Sequence, residues 1–285
     1  MQLHRSPRLR RIAAASALSA TILLTATACA PAGATAESLT TDNHIHKLMP
    51  SDDGQSLLVG THNGLFSVDL ESGDVEGPVG EHVIDLMGLT RADDGLLASG
   101  HPGASGVQHL QGPNLGLIQS SDTGETWESV SLEGAADFHA LTYDSAAGTV
   151  VGAHAGQILI SDDMGASWRE GAAADPYELL ATSDGLLMTS FDGLSVSTDA
   201  GESFQAVEGA PPLVLLANAE DTVIGVDLDG TLWRSERGTP WTPVGTTPGQ
   251  IHALTLLPSG EVIVATEAGL QRTSDLGQSW EPLIS

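Results

Sequence analysis

Four stretches of one pattern decide the fold: SSDTGETW at Ser120–Trp127, SDDMGASW at Ser161–Trp168, STDAGESF at Ser197–Phe204 and TSDLGQSW at Thr273–Trp280. Each reads S/T-x-D-x-G-x-S/T-W/F, and a degenerate copy, SERGTPW, ends at Trp241. The aromatic positions Trp127, Trp168, Phe204, Trp241 and Trp280 are separated by 41, 36, 37 and 39 residues. The pattern makes sense as a turn. Its Asp accepts backbone N–H bonds, its Gly supplies positive φ, and its hydroxyl closes the loop. The aromatic that follows starts a strand, and burying its ring is worth roughly 1.5–3 kcal/mol.

Short apolar runs separated by Gly, Asp, Pro and Ser fill each repeat, as strands do. The last repeat shows the plan: IHALTLL, PSG, EVIVATEAG, LQRTS, DLGQ, SWEPLI. A period near 40 filled with four short strands predicts an all-β, six-bladed β-propeller. The expected blades are 43–80, 81–133, 134–173, 174–210, 211–249 and 250–285. The first lacks the turn motif and uses SVDLESGDV in its place. The second carries an inserted loop, GASGVQHLQGPN, between its second and third strands.

The four complete turns resemble the Asp-box (BNR) repeat of sialidase-type propellers. The resemblance implies that Asp122, Asp163, Asp199 and Asp275 are structural, in turns that join third to fourth strands away from the active site. The HIH, THNGLF, GHPG and NLGLI segments are similar to a bacterial lipoprotein group labelled as glycosyl hydrolases. Non-enzymatic Asp-box propellers, including the photosystem assembly-factor type, act as binding scaffolds.

Residues 1–28 are expected to form a signal peptide. Arg5, Arg8, Arg10 and Arg11 precede the apolar stretch Ile12–Thr27, which is shorter than the roughly 20 residues of a membrane span. The run Ala26-Thr27-Ala28-Cys29 resembles a lipobox, which implies an exported protein lipid-anchored through Cys29 on the outer side of the cell membrane. Residues 29–42 then form a flexible tether and 43–285 the propeller. Cys29 is the one cysteine of the chain, so no internal disulfide can form. Removing the signal takes away four of ten basic residues and none of the 37 acidic ones. So acidic a surface excludes nucleic acid as a partner.

Aligned by repeat, the inner strands begin IHKLM, VIDLM, FHALT, YELLA, LVLLA and IHALT, from which His46, Asp85, His139, Glu178, Val214 and His252 are expected to form one ring. The ends of the second strands set out His62, His101, His154, Phe191, Leu228 and Glu267. Inner strands begin, and their antiparallel neighbours end, on one face of the disc. Six histidines with Asp85, Glu178 and Glu267 are therefore expected around one mouth of the channel. His44, His82 and His109 are expected on the same face. Imidazoles and carboxylates from separate blades, with no thiolate, suit a divalent Zn, Cu, Ni, Mn or Fe ion.

Sialidase chemistry needs clustered arginines on the substrate carboxylate, a Tyr–Glu nucleophile and an Asp acid/base. Here Arg91, Arg169, Arg234, Arg237 and Arg272 all lie away from the starts of inner strands. True sialidase activity is thereby disfavoured. The leading expectation is a metal-binding scaffold for a metal ion, carbohydrate or extracytoplasmic protein. The alternative is a glycosyl hydrolase or metal-dependent hydrolase with Asp85 and Glu178 as the reactive carboxylates.

Overall fold

The structure is a computed structural model that describes residues 1–2, 39, 43–103, 109–110, 112–237 and 239–284. Of the expected signal segment only Met1 and Gln2 are described, and Cys29 lies outside the described residues. Twenty-four strands form six four-stranded antiparallel sheets, each built from strands consecutive in sequence. Blade one holds Ile45–Pro50, Ser56–Thr61, Gly64–Asp69 and Val75–Glu76, and blade two holds Asp85–Ala92, Gly95–His101, Leu117–Ser120 and Glu128–Ser131. Blade three holds Ala140–Asp144, Thr149–His154, Gln157–Ser161 and Arg169–Ala173, and blade four holds Glu178–Thr182, Gly185–Ser190, Gly193–Ser197 and Gln205–Ala206. Blade five holds Leu213–Ala219, Thr222–Asp227, Thr231–Glu236 and Thr242–Thr246. Blade six holds Ile251–Leu256, Val262–Thr266, Gly269–Thr273 and Glu281–Pro282. The six-bladed propeller and its blade boundaries agree with the sequence reading.

The core is divided among the blade interfaces. Leu58 and Leu65 of blade one pack on Leu86 and Leu96 of blade two, and Leu117 of blade two packs with Phe138 and Val150 of blade three. The same happens at the seam, where Leu57, Val59 and Phe66 of blade one meet Ile263, Ala265 and Leu270 of blade six. Leu39, inside the expected tether, is fully buried in that seam cluster.

Each complete turn is closed by the same bonds. In blade three Ser161 Oγ donates to Asp163 Oδ1 (2.8 Å) and accepts the Gly165 N–H (2.7 Å). Asp163 Oδ1 also accepts the Ser167 N–H, and Oδ2 accepts the Ser167 hydroxyl at 2.6 Å. Those hydroxyl bonds hold the Asp163 carboxyl below the usual carboxylate range, and the matching bonds draw Asp122, Asp199 and Asp275 down to about 2. The turn is also a joint between blades. A Cβ on Gly124, Gly165 or Gly277 would stand within 2.5 Å of Leu65, Leu117 or Leu232 on the third strand of the preceding blade. Trp168 Nε1 donates to Ser131 Oγ, and Trp280 Nε1 to the Thr246 carbonyl, both across blade boundaries.

Blade five departs from this plan. Its short turn is held by the Ser235 hydroxyl on the Thr239 carbonyl and by the Glu236 N–H on Thr239 Oγ1. A cavity of about 230 Å³, lined by Leu187, Leu194, Val196, Val207, Val223 and Trp241, lies at its interface with blade four.

Candidate functional site

Four inner strands carry a one-residue bulge near the mouth. The pairing slips between Ile45 and Lys47, Leu86 and Gly88, Leu213 and Leu215, and Ile251 and Ala253. The extra residues are His46, Met87, Val214 and His252. A bulge leaves its residue out of the ladder and re-aims its side chain. Here that frees two histidines from the pleat, and both line the mouth cavity. It also corrects the sequence alignment: Asp85 is not level with His46, but lies two residues before the bulge of its own strand, opposite His101.

Asp85 is the hub. Its Oδ1 lies 2.8 Å from His62 Nδ1 and 3.6 Å from His46 Nε2, and those two nitrogens are 3.4 Å apart. Yet Asp85 Oδ1 is buried and has no hydrogen-bond partner. Its Oδ2 faces His101 Nδ1 at 3.4 Å. His101 Nε2 in turn lies 3.3 Å from Asp137 Oδ2, which also accepts a 2.8 Å bond from His139 Nε2. Imidazoles and carboxylates thus alternate from blade one to blade three.

Electrostatics divides the histidines. Burial, helped by the neighbouring His62, lowers the His46 pKa to about 4, so its ring is neutral across the neutral range. The bond to Asp137 raises that of His139. Burial pushes Asp137 upward, but the His139 bond and the charges of His139, His101 and His154 outweigh it and hold the carboxyl low.

His44 joins the cluster. Its ring stacks on His62 with centroids 5.6 Å apart and lies 5.1 Å from that of His252. One nitrogen from each of His44, His46 and His62 falls within 4.8 Å of the others. Asp137 was not among the sequence-derived ligands. Its signal was present, because it precedes His139 by the two residues that separate His44 from His46.

The other expected residues fall as follows. Glu178 is paired with Lys47 at 2.6 Å. His139, His252 and Glu178 line, with Tyr177, a cavity of about 930 Å³ that His44 and His46 share. Glu267 lines a smaller one with His44, His62 and His252. His154 Nδ1 accepts the Asp137 N–H at 3.2 Å, which steadies that backbone. His109 departs from the reading that gathered all of these histidines at the mouth. It is spent on the carbonyl of Trp127, the aromatic that ends a turn motif, at 2.7 Å. Blades four and five place Phe191 and Leu228 where the first three place His62, His101 and His154. Both are exposed, at 91% and 85%.

No protein-family model and no curated protein sequence matches the chain. Among solved structures it is similar to a streptogramin B lyase, at 17% identity and TM-score 0.58 over 85% of this chain and 84% of that one. It is also similar to an ancestral GH74 enzyme, at 12% identity and TM-score 0.53 over 84% of this chain and 38% of that one. A third likeness is to the extracellular domain of a protein described as a hybrid two-component system from B. thetaiotaomicron. There the identity is 12% and the TM-score 0.55, over 85% of this chain and 33% of that one. At such identities these likenesses show the fold alone: the chain is a six-bladed β-propeller.

Proposed function

We propose that the protein is an exported binding scaffold whose mouth holds a divalent transition metal between His46, His62 and Asp85. The observation that carries this is the buried Oδ1 of Asp85, which makes no hydrogen bond yet faces two imidazole nitrogens at 2.8 and 3.6 Å. A buried carboxylate oxygen without a hydrogen bond is costly, and a cation at that point removes the cost. Ligands 2.0–2.1 Å from a tetrahedral ion stand about 3.3 Å apart. The three separations of 2.8, 3.6 and 3.4 Å scatter about that value. His44 stands close enough to supply a further nitrogen. The neutral His46 ring has a lone pair free for a metal.

A metal held there with an open position would polarise a bound carbonyl or water. The exposed Phe191 and Leu228 and the wide cavity beside the histidines suit a ligand that is partly apolar. The lipobox-like run before Cys29 supports a lipid anchor on the outer side of the cell membrane. The repeated Asp-centred turns support membership of the Asp-box propellers.

Elemental analysis of untagged protein tests the reading. Bound Zn, Cu, Ni, Mn or Fe in stoichiometric amount is expected, falling at least tenfold in His46→Ala/His62→Ala. Protein free of metal would turn the reading toward a carbohydrate-acting hydrolase, if it cleaves glycosides and Glu178→Gln abolishes that activity.

A further inference from the structure

We propose that the mouth holds a second metal ion, bound by His101, Asp137 and His139 and coupled to the first through the ring of His101. The inference rests on the metal-binding reading above and extends it to residues that the first ion does not touch.

Two imidazole nitrogens, His139 Nε2 and His101 Nε2, converge on one oxygen of Asp137, at 2.8 and 3.3 Å. The other oxygen, Oδ1, is buried and has no hydrogen-bond partner. Two donors crowded on one oxygen and none on its neighbour is a wasteful way to satisfy a carboxylate by hydrogen bonds alone. Ligands of a tetrahedral ion stand about 3.3 Å apart, and the two nitrogens stand 3.3 and 2.8 Å from Asp137 Oδ2. Among the described residues, the buried carboxylate oxygens that lack partners are those of Asp85 and Asp137.

His101 links the two. Its Nε2 faces Asp137 while its Nδ1 faces Asp85 Oδ2 at 3.4 Å. An ion on Nε2 obliges the ring to carry its proton on Nδ1. That N–H then donates to the carboxylate whose other oxygen binds the first ion. Partners of this kind orient metal ligands and change affinity by about 10–100-fold when removed. His101 is thus a ligand of the second ion and a positioning residue for the first. His154 supports the second site from behind, by holding the backbone of Asp137.

Zn²⁺ titrated calorimetrically into metal-stripped, untagged protein tests this, with bound metal counted after desalting and folding checked by thermal melting. The wild-type chain should take up two equivalents. His139→Asn should take up one, at the affinity of the tighter wild-type site or the weaker, whichever His46→Ala/His62→Ala abolishes. His101→Ala should also retain one equivalent, but bound about tenfold more weakly than in His139→Asn. Asp137→Asn gives a second, near-isosteric route to the same loss. A wild-type stoichiometry of one, or of two that His139→Asn and Asp137→Asn leave unchanged, would overturn the second site and leave the first standing. Uptake of no metal would overturn the underlying reading itself.

Discussion

At the scale of single residues, the glycine of each turn motif serves two purposes. Gly165 has φ of 86°, a region that side-chain-bearing residues avoid, and it touches Leu117 of the neighbouring blade. Gly209 has φ of 74° with open space around it. Gly209→Ala should therefore cost only the backbone strain, about 1–2 kcal/mol. Gly165→Ala should cost that and a further 1–3 kcal/mol or so of overpacking. Urea melts of the two variants check the difference, and equal losses would remove the inter-blade role assigned to the turn. The turn was legible in the sequence because its needs are local: a carboxylate, a glycine and a hydroxyl at fixed offsets. The pairing of Lys47 with Glu178 was not, since the two are 131 residues apart and meet only once the ring has closed.

At the scale of strands, a bulge is a single inserted residue that shifts the alternation by one position, and here it falls at the start of each strand, where few residues precede it to show the shift. It was not seen in the sequence, and Asp85, two residues before the bulge of its own strand, was set level with the bulged His46. The face on which the histidines gather was legible nonetheless, because strand direction alone sends the start of an inner strand and the end of its neighbour to one side. His109 escaped the rule because it sits in an inserted loop that the repeat pattern does not govern. The short turn of blade five supports a prediction at this scale. Replacing Ser235–Trp241 with the SDDMGASW of blade three should fill the cavity beside Leu194 and Val196. A gain of about 1 kcal/mol is expected, or 2–4 °C in Tm for a domain of this size. A lower Tm would mean that Ser235 and Thr239 already close that turn as well as the full motif would.

For the whole molecule, the seam between blades six and one decides stability. Among the described residues no strand crosses it, since each sheet is made from consecutive strands. It is held by apolar packing and by a few polar links such as Arg272 Nη1 on the Leu70 carbonyl at 3.0 Å. Among the described residues of the preceding segment, Leu39 is buried there. A chain starting at Thr40 should accordingly melt lower than one starting at Ala36, by an amount matching the loss of about 2–4 kcal/mol for a buried leucine. Equal melting points would show that Leu39 adds nothing to closure. Consecutive blades also impose an order on biogenesis. The first blade leaves the ribosome with Leu57, Val59 and Phe66 awaiting partners on the sixth. While the four intervening blades are made, the nascent chain must keep that greasy flank from other chains, and only the arrival of the sixth blade hides it.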